Sequence, residues 1–321
     1  MSSLFPGDQL DHYRIEGLVA RSGMASIYRA TDTRDGRPVA IKIPHPEMEG
    51  DPLFFDRFRR EEDIGSTLDH PGIMKVFKDE DRGRVYLVME WVDGRLLRQI
   101  LNESKKLPPE RALRIALGVC SALDYIHSHG VVHRDLKPEN IMVDGQDRIK
   151  LIDFGLAGKS GARRLTFAKL TQAMGTPDYI SPEQVKSKRG DGRSDIYALG
   201  VMLYEMLTGE TPFKGPNPFA IMNDRLLNNP IPPRELNPSI SPELQEIIYR
   251  AIERDPKNRY ARAREMALDL EHPEKVGAAD RPELRDWKRR RSPILRRIFF
   301  YVILALIPVV ILGLLLWVAK R

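Results

Sequence analysis

Residues 133–140 read His133-Arg134-Asp135-Leu136-Lys137-Pro138-Glu139-Asn140, and residues 153–155 read Asp153-Phe154-Gly155. Between them, 141–143 and 148–152 are short β-branched runs around Asp144-Gly145-Gln146-Asp147, which predicts two strands joined by a turn. Upstream, 11–20, 25–31 and 37–43 read as strands too, the last two linked by Asp32-Thr33-Arg34-Asp35-Gly36. Residues 53–68 read as a helix, and 73–78 and 84–91 return to strand. From Gly94 onward helices dominate. Residues 109–129 carry Ala112, Ile115, Val119, Leu123 and Ile126 at helical spacing and are closed by Gly130, a helix-stopping residue. Residues 195–207 form a second, mostly apolar helix ending at Gly209. A strand-rich front and a helix-rich rear predict an α+β chain of two lobes.

Helix 53–68 holds a charge where none is expected. Phe54, Phe58, Ile64, Gly65 and Leu68 define its apolar face, and Glu61 falls within it by helical periodicity. A carboxylate there needs a cationic partner. Glu62 points ~100° away and is expected to be solvated.

The net charge of +6 is concentrated at one end. Between Arg281 and Arg297 stand eight Lys/Arg against two Asp/Glu, so the fold itself is slightly acidic and a nucleic-acid role has little support. The single cysteine, Cys120, excludes a disulfide framework and sits at an apolar position of 109–129. Residues 298–319, IFFYVILALIPVVILGLLLWVA, carry no charge and are long enough for the ~30 Å hydrocarbon core of a bilayer. Lys288, Arg289, Arg290, Arg291, Arg296 and Arg297 precede this run, and only Lys320 and Arg321 follow it. The denser basic flank is expected to stay cytoplasmic and to attract anionic lipid. This predicts a single-pass, tail-anchored membrane protein. Gly313 alone defines no dimerising face, so dimerisation is left open.

The segments 133–140 and 153–155, in this order and at this spacing, resemble the catalytic-loop and D-F-G signatures of eukaryotic-type (Hanks-type) serine/threonine protein kinases. The resemblance covers roughly residues 11–272. Tyr86-Leu87-Val88-Met89-Glu90-Trp91-Val92-Asp93-Gly94 and Asp178-Tyr179-Ile180-Ser181-Pro182-Glu183 look most like the bacterial membrane-anchored members, implying a bacterial plasma membrane. The implied architecture is a bilobal kinase fold with an N-lobe at 1–92 and a C-lobe at 93–272. A basic linker at 273–297, a transmembrane helix at 298–319 and an external tail at 320–321 complete it.

By resemblance the activity is transfer of the ATP γ-phosphate to protein serine and threonine hydroxyls, autophosphorylation included. Asp135 would be the catalytic base, Lys137 the γ-phosphate lysine, and Asn140 and Asp153 the ligands of Mg2+, with Mn2+ as an alternative. Lys42 closes Val39-Ala40-Ile41-Lys42 and matches the lysine of the α- and β-phosphates, with Glu61 as its partner. The nucleotide is placed against Ala20, Ser22, Gly23, Ile27, Ala40, Lys42, Glu90 and Val92, with Met89 behind the base. Structural roles fall to Arg134, Phe154, Gly155, Thr176, Glu183, Asp195 and Arg259, of which Glu183 and Arg259 are expected to pair and Asp195 to brace the catalytic loop. Thr166 and Thr171 are the expected activation-loop phosphorylation sites, with Arg134 as the phosphate partner.

Two departures stand out. The family's G-x-G-x-x-G loop reads Ala20-Arg21-Ser22-Gly23-Met24-Ala25 here; all three motif glycines are gone, and Gly23 is expected to take over the tight turn, with reduced ATP affinity. Gly65, in a predicted helix, suggests a mobile helix with a small residue toward Phe154. These departures support an alternative reading, a catalytically silent kinase-like membrane scaffold. A small-molecule phosphotransferase is a third, disfavoured by Ser181-Pro182-Glu183 and the long 158–174 segment.

Overall fold

A computed structural model describes residues 4–49, 52–78, 82–154, 158–159, 177–279, 302 and 306. The N-terminal lobe is a six-stranded antiparallel sheet of order β1-β2-β3-β4-β6-β5. Its strands are β1 (Gln9–Leu10), β2 (Tyr13–Arg21), β3 (Ala25–Asp32), β4 (Pro38–Pro44), β5 (Val76–Phe77) and β6 (Leu87–Glu90). The β3–β4 hairpin closes where expected: Asp32 N donates to Arg37 O and Gly36 N to Asp32 O, with Gly36 at φ 74°.

Strand alternation gives the sheet two unlike faces. Tyr28, Ile41 and Ile43 pack with Tyr13, Ile15 and Tyr86 on one face. Ala40, Leu87 and Met89 pack on the other with Phe54 and Phe58 of the helix α2 (Pro52–Gly65) that follows the short α1 (Pro46–Glu49). Lys42 lies two residues from Ala40, so the same alternation turns it toward α2.

The C-terminal lobe is helical. α3 (Leu97–Ser104) and α4 (Pro109–Ser128) are followed by the 133–140 segment. A small sheet of order β10-β9-β7 combines β7 (Arg95–Leu96), β9 (Ile141–Val143) and β10 (Ile149–Leu151), while β8 (Val131–Val132) pairs with β11 (Gly158–Lys159). Beyond lie α5 (Pro182–Val185), α6 (Gly192–Thr208), α7 (Pro218–Leu227), α8 (Pro233–Leu236), α9 (Pro242–Ala251) and α10 (Ala263–Glu271). Every residue of α6 from Ser194 to Leu207 is buried. That explains its nearly continuous apolar sequence, because a helix surrounded by α4, α9 and α10 has no solvent face to mark with polar residues. It ends at Gly209, whose φ of 79° is the left-handed cap that glycine adopts without strain.

The two-lobed α+β reading holds, with the strands of the runs 73–78 and 84–91 shorter than expected. Of 73–78 only Val76–Phe77 is ladder-paired; Ile73 makes an isolated parallel bridge to Leu151. Gly65 is corrected in its surroundings. A Cβ placed there would lie 2.4 Å from Val76 Cγ2, so the glycine lets α2 approach β5 and is not a gap toward Phe154. No helix among the described residues is long and apolar enough to cross a membrane. The 298–319 run lies outside the described residues save Val302 and Leu306, which are helical and exposed.

The Gly65 contact gives a clear expectation. Alanine normally gains ~1 kcal/mol over glycine within a helix, but overpacking against a stiff valine costs about 1–3 kcal/mol. Gly65→Ala is therefore expected to lower Tm in calorimetry, and adding Val76→Ala should recover part of the loss. A Tm raised by Gly65→Ala alone would show that the contact does not constrain the helix.

Candidate active site

Strand β4 and helix α2 bring Lys42 and Glu61 together. Lys42 Nζ donates to both Glu61 oxygens, at 2.9 and 2.6 Å, and Glu61 is 3% exposed. Burial works against the Lys42 charge, yet Glu61 and then Asp153 outweigh it and raise its pKa. For Glu61, burial pushes the carboxyl up to about 7, with Lys42 opposing and Asp153 adding. Glu62 is corrected: instead of standing in solvent, it accepts from Arg82 at 2.5 Å in a partly buried ion pair. Arg82 in turn donates to Tyr86 O.

The 133–140 loop is shaped from below by α6. Asp195, 1% exposed, accepts from His133 N at 2.9 Å and Arg134 N at 2.8 Å, and lies 2.8 Å from His127 Nε2. Arg134 sits at φ 66°, a left-handed conformation that costs a non-glycine residue roughly 1–3 kcal/mol and is held by these bonds. The same loop clusters its polar residues: Lys137 Nζ donates to Asp135 Oδ2 at 2.7 Å, and Asn140 Nδ2 donates to Asp135 O at 2.7 Å and Oδ2 at 3.2 Å. Burial raises the Asp135 carboxyl above its ordinary value, with Lys137 opposing and Asp153 adding to the rise. Asp153 thus acts electrostatically on Lys42, Glu61 and Asp135, and all four groups belong to one site. Phe154 is buried against the His133 ring at 5.4 Å between centroids.

Around the nucleotide positions of the resemblance, Ala40 and Met89 are buried. Glu90 N already donates to Lys75 O at 2.8 Å, which leaves only the carbonyl of that residue for an adenine edge. The β2–β3 connection is corrected: Gly23 does not adopt positive φ, and Ser22 closes the tip instead. Its N donates to Ala25 O at 2.9 Å, and its Oγ accepts from Met24 N and Ala25 N at 3.2 and 3.1 Å.

Glu183 and Arg259 form a bidentate pair at 2.8 and 2.7 Å, with Ser194 Oγ donating to Glu183 at 2.6 Å. Gly155, Thr166, Thr171 and Thr176 lie outside the described residues. Three side chains escaped the sequence reading. Arg98 donates to Glu139 and Glu205, both at 2.8 Å, and to the Tyr179 hydroxyl. Arg225, fully buried, donates to Pro177 O at 2.7 Å and to Asp178 O. His127 is the third. Arg225 lies three residues after Met222, the other buried residue of α7, but Phe219 and Leu227 of the same helix are exposed, so its apolar residues do not mark the buried face in the sequence.

A two-lobed fold with this cluster at its junction is the architecture of a protein kinase. The protein kinase domain family matches residues 13–271, and the chain belongs to it, with a Hanks-type serine/threonine kinase domain. It is 37% identical over 282 residues to the serine/threonine-protein kinase PknB of Mycolicibacterium smegmatis, covering 85% of this chain and 45% of PknB. Against PknB of Mycobacterium tuberculosis the identity is 36% over 273 residues, with 83% and 43% covered. The chain spans less than half the length of these curated relatives. The crystal structure of the Mycobacterium tuberculosis PknI kinase domain superposes with a TM-score of 0.65 at 26% identity, covering 85% of this chain and all of that one.

The Glu183–Arg259 pair carries a pH signature. Burial opposes the Glu183 charge, but Arg259 and Ser194 outweigh it and hold the carboxyl below its ordinary value. A depressed carboxylate stabilises the fold above its unfolded pKa of ~4.3, and that contribution is lost as pH falls through the folded value. Glu183→Gln is expected to cost about 3–5 kcal/mol at pH 7. The gap to wild type in denaturant titrations should narrow below pH ~4. A gap constant from pH 7 to 3 would mean that the charge contributes nothing.

Proposed function

We propose that the chain is an ATP-dependent serine/threonine protein kinase held at the cytoplasmic face of a membrane. The observation that carries this is the convergence of Lys42–Glu61 from one lobe and Asp135, Lys137, Asn140 and Asp153 from the other on a single charged site. Phosphoryl transfer is mainly positioning and charge neutralisation, and this set supplies both.

Asp135 orients the substrate hydroxyl and accepts its proton. Lys137, held against Asp135, places a positive charge beside the transferred phosphate. Lys42, fixed by Glu61, holds the α- and β-phosphates of ATP, whose adenine lies by Ala40, Met89, the Glu90 carbonyl and Val92. The residues fit a hard divalent ion: Asn140 donates through Nδ2 to Asp135, which leaves Oδ1 as a ligand beside the Asp153 carboxylate. Among the described residues no cluster of three or more His, Cys, Asp or Glu forms a metal cage, which suits Mg2+, bound through few protein groups and mostly by phosphates and water; Mn2+ suits the same ligands. When bound, the ion neutralises phosphate charge. Glu183–Arg259 and Asp195 hold the loops, and Gly155 and Thr176 complete the pattern by resemblance.

Thr166 and Thr171 are proposed phosphorylation sites with Arg134 as their anchor. Arg134 Nε is buried and has no partner among the described residues, and Arg189 and Arg60 add positive charge beside it. Such a concentration of arginine suits a phosphate. The domain limits follow the same reading: lobes at 1–92 and 93–272, a basic linker at 273–297, and a lipid-spanning helix at 298–319. The Ser22-tied loop favours one rival, a silent scaffold.

In labelled-phosphate transfer with full-length protein, ATP and Mg2+, wild type is expected to label itself or a basic protein substrate. Asp135→Asn should fall by ~10²-fold or more with an unchanged melting curve, and label mapping should find Thr166 or Thr171. A folded wild type that transfers nothing in lipid would leave the scaffold reading. Full-length protein is also expected to co-float with anionic vesicles through carbonate washing, and a 298–319 deletion to lose this; equal flotation of both would remove the spanning helix.

A further inference from the structure

The β2–β3 tip contains an oxygen in an unusual place. Ser22 Oγ accepts from the successive amides of Met24 and Ala25 at 3.2 and 3.1 Å, and donates to Ala25 O at 3.0 Å. Adjacent backbone N–H groups converging on one point form the kind of concavity that binds anions. In kinases this connection covers the nucleotide phosphates. Here the converging amides are already satisfied by the chain's own hydroxyl.

We propose that Ser22 is a built-in competitor for a phosphate oxygen, so that this side chain sets how tightly the site holds the polyphosphate of its nucleotide. The proposal rests on the ATP-binding reading above. Ser22 is exposed and space around Gly23 is open, so rotation about χ1 suffices to withdraw the hydroxyl and free both amides. ATP binding must then replace serine–amide bonds by phosphate–amide bonds, and the net gain is smaller than in a loop with glycine at this position. A glycine there would leave the amides to water, which a charged phosphate displaces with greater benefit. Adenine and ribose lie away from the tip, near Ala40 and Glu90–Val92, so their contribution is independent of Ser22.

That separation supplies the test. Affinities of adenosine, ADP and ATP, with Mg2+, are measured by calorimetry on full-length wild type, Ser22→Gly, Ser22→Ala and Ser22→Thr. Ser22→Gly and Ser22→Ala are expected to bind ADP and ATP roughly three- to tenfold more tightly, the worth of one or two neutral hydrogen bonds. Adenosine should bind all four proteins alike, and Ser22→Thr, which keeps the hydroxyl, should match wild type. Weaker or unchanged ADP and ATP binding in the glycine and alanine variants would overturn the proposal, because Ser22 would then only brace the turn. So would an equal gain for adenosine. Adenosine binding with no such phosphate effect leaves the nucleotide site intact and removes only the role of Ser22; no binding of any ligand by any of the four removes both.

Discussion

The arrangement of the site depends on one buried carboxylate. Asp195 reaches up from α6 and takes two consecutive backbone amides of the catalytic loop, with His127 on the same oxygen as His133 N. Burial opposes that charge, but His127 and the loop donors outweigh it and hold the carboxyl below its ordinary pKa. An ion this deep is tolerable only when hydrogen-bonded, and the bonds it needs fix the loop. Arg134 is forced into a left-handed conformation, and the chain turns so that Asp135, Lys137 and Asn140 meet. Backbone strain at Arg134 is small beside the cost of leaving Asp195 unsatisfied.

The second constraint lies within the N-terminal lobe. α2 is anchored by Phe54 and Phe58 against Ala40, Leu87 and Met89, and by the contact of Gly65 with Val76. Those contacts set the helix height at which Glu61 meets Lys42. Burial makes the carboxylate costly and Asp153 adds to that cost, which Lys42 offsets in part. The pair is therefore sensitive to anything that moves α2, including the Glu62–Arg82 contact on its outer side.

Sequence and structure agree most closely where a residue's chemistry conflicts with its surroundings. Glu61 was legible because a charge on an apolar helix face demands a partner, and Lys42 was legible through the resemblance of Val39-Ala40-Ile41-Lys42. The two lobes were legible from periodicity. What was not legible came from contacts between distant elements. Nothing local to Arg98 announces Glu205, 107 residues away, and nothing local to Gly65 announces Val76. Glu62 was misread because the period fixes direction only, and a side chain pointing away from the core can still meet Arg82 from a loop.

The turn at 177–179 beside the site is stiffened by a comparable exchange of charge for order. Arg225 spends a fully buried guanidinium on two backbone carbonyls, at Pro177 and Asp178, and Arg98 joins Glu139 of the catalytic loop to Tyr179 of the same turn. Apolar side chains of similar volume would fill this space at lower desolvation cost, but they would leave the carbonyls of a buried turn unpaired and the turn free to shift against the loop. Gln184 adds a third tie, donating from α5 to Arg134 O at 3.0 Å. The loop carrying Asp135 is thereby bonded both to α6 below it and to the turn beside it. Asp135, Arg134 and Glu139 are thereby held in register with the 177–179 turn. A group held in one geometry reacts faster than one that must first find it, so this bonding contributes order that apolar packing alone would not.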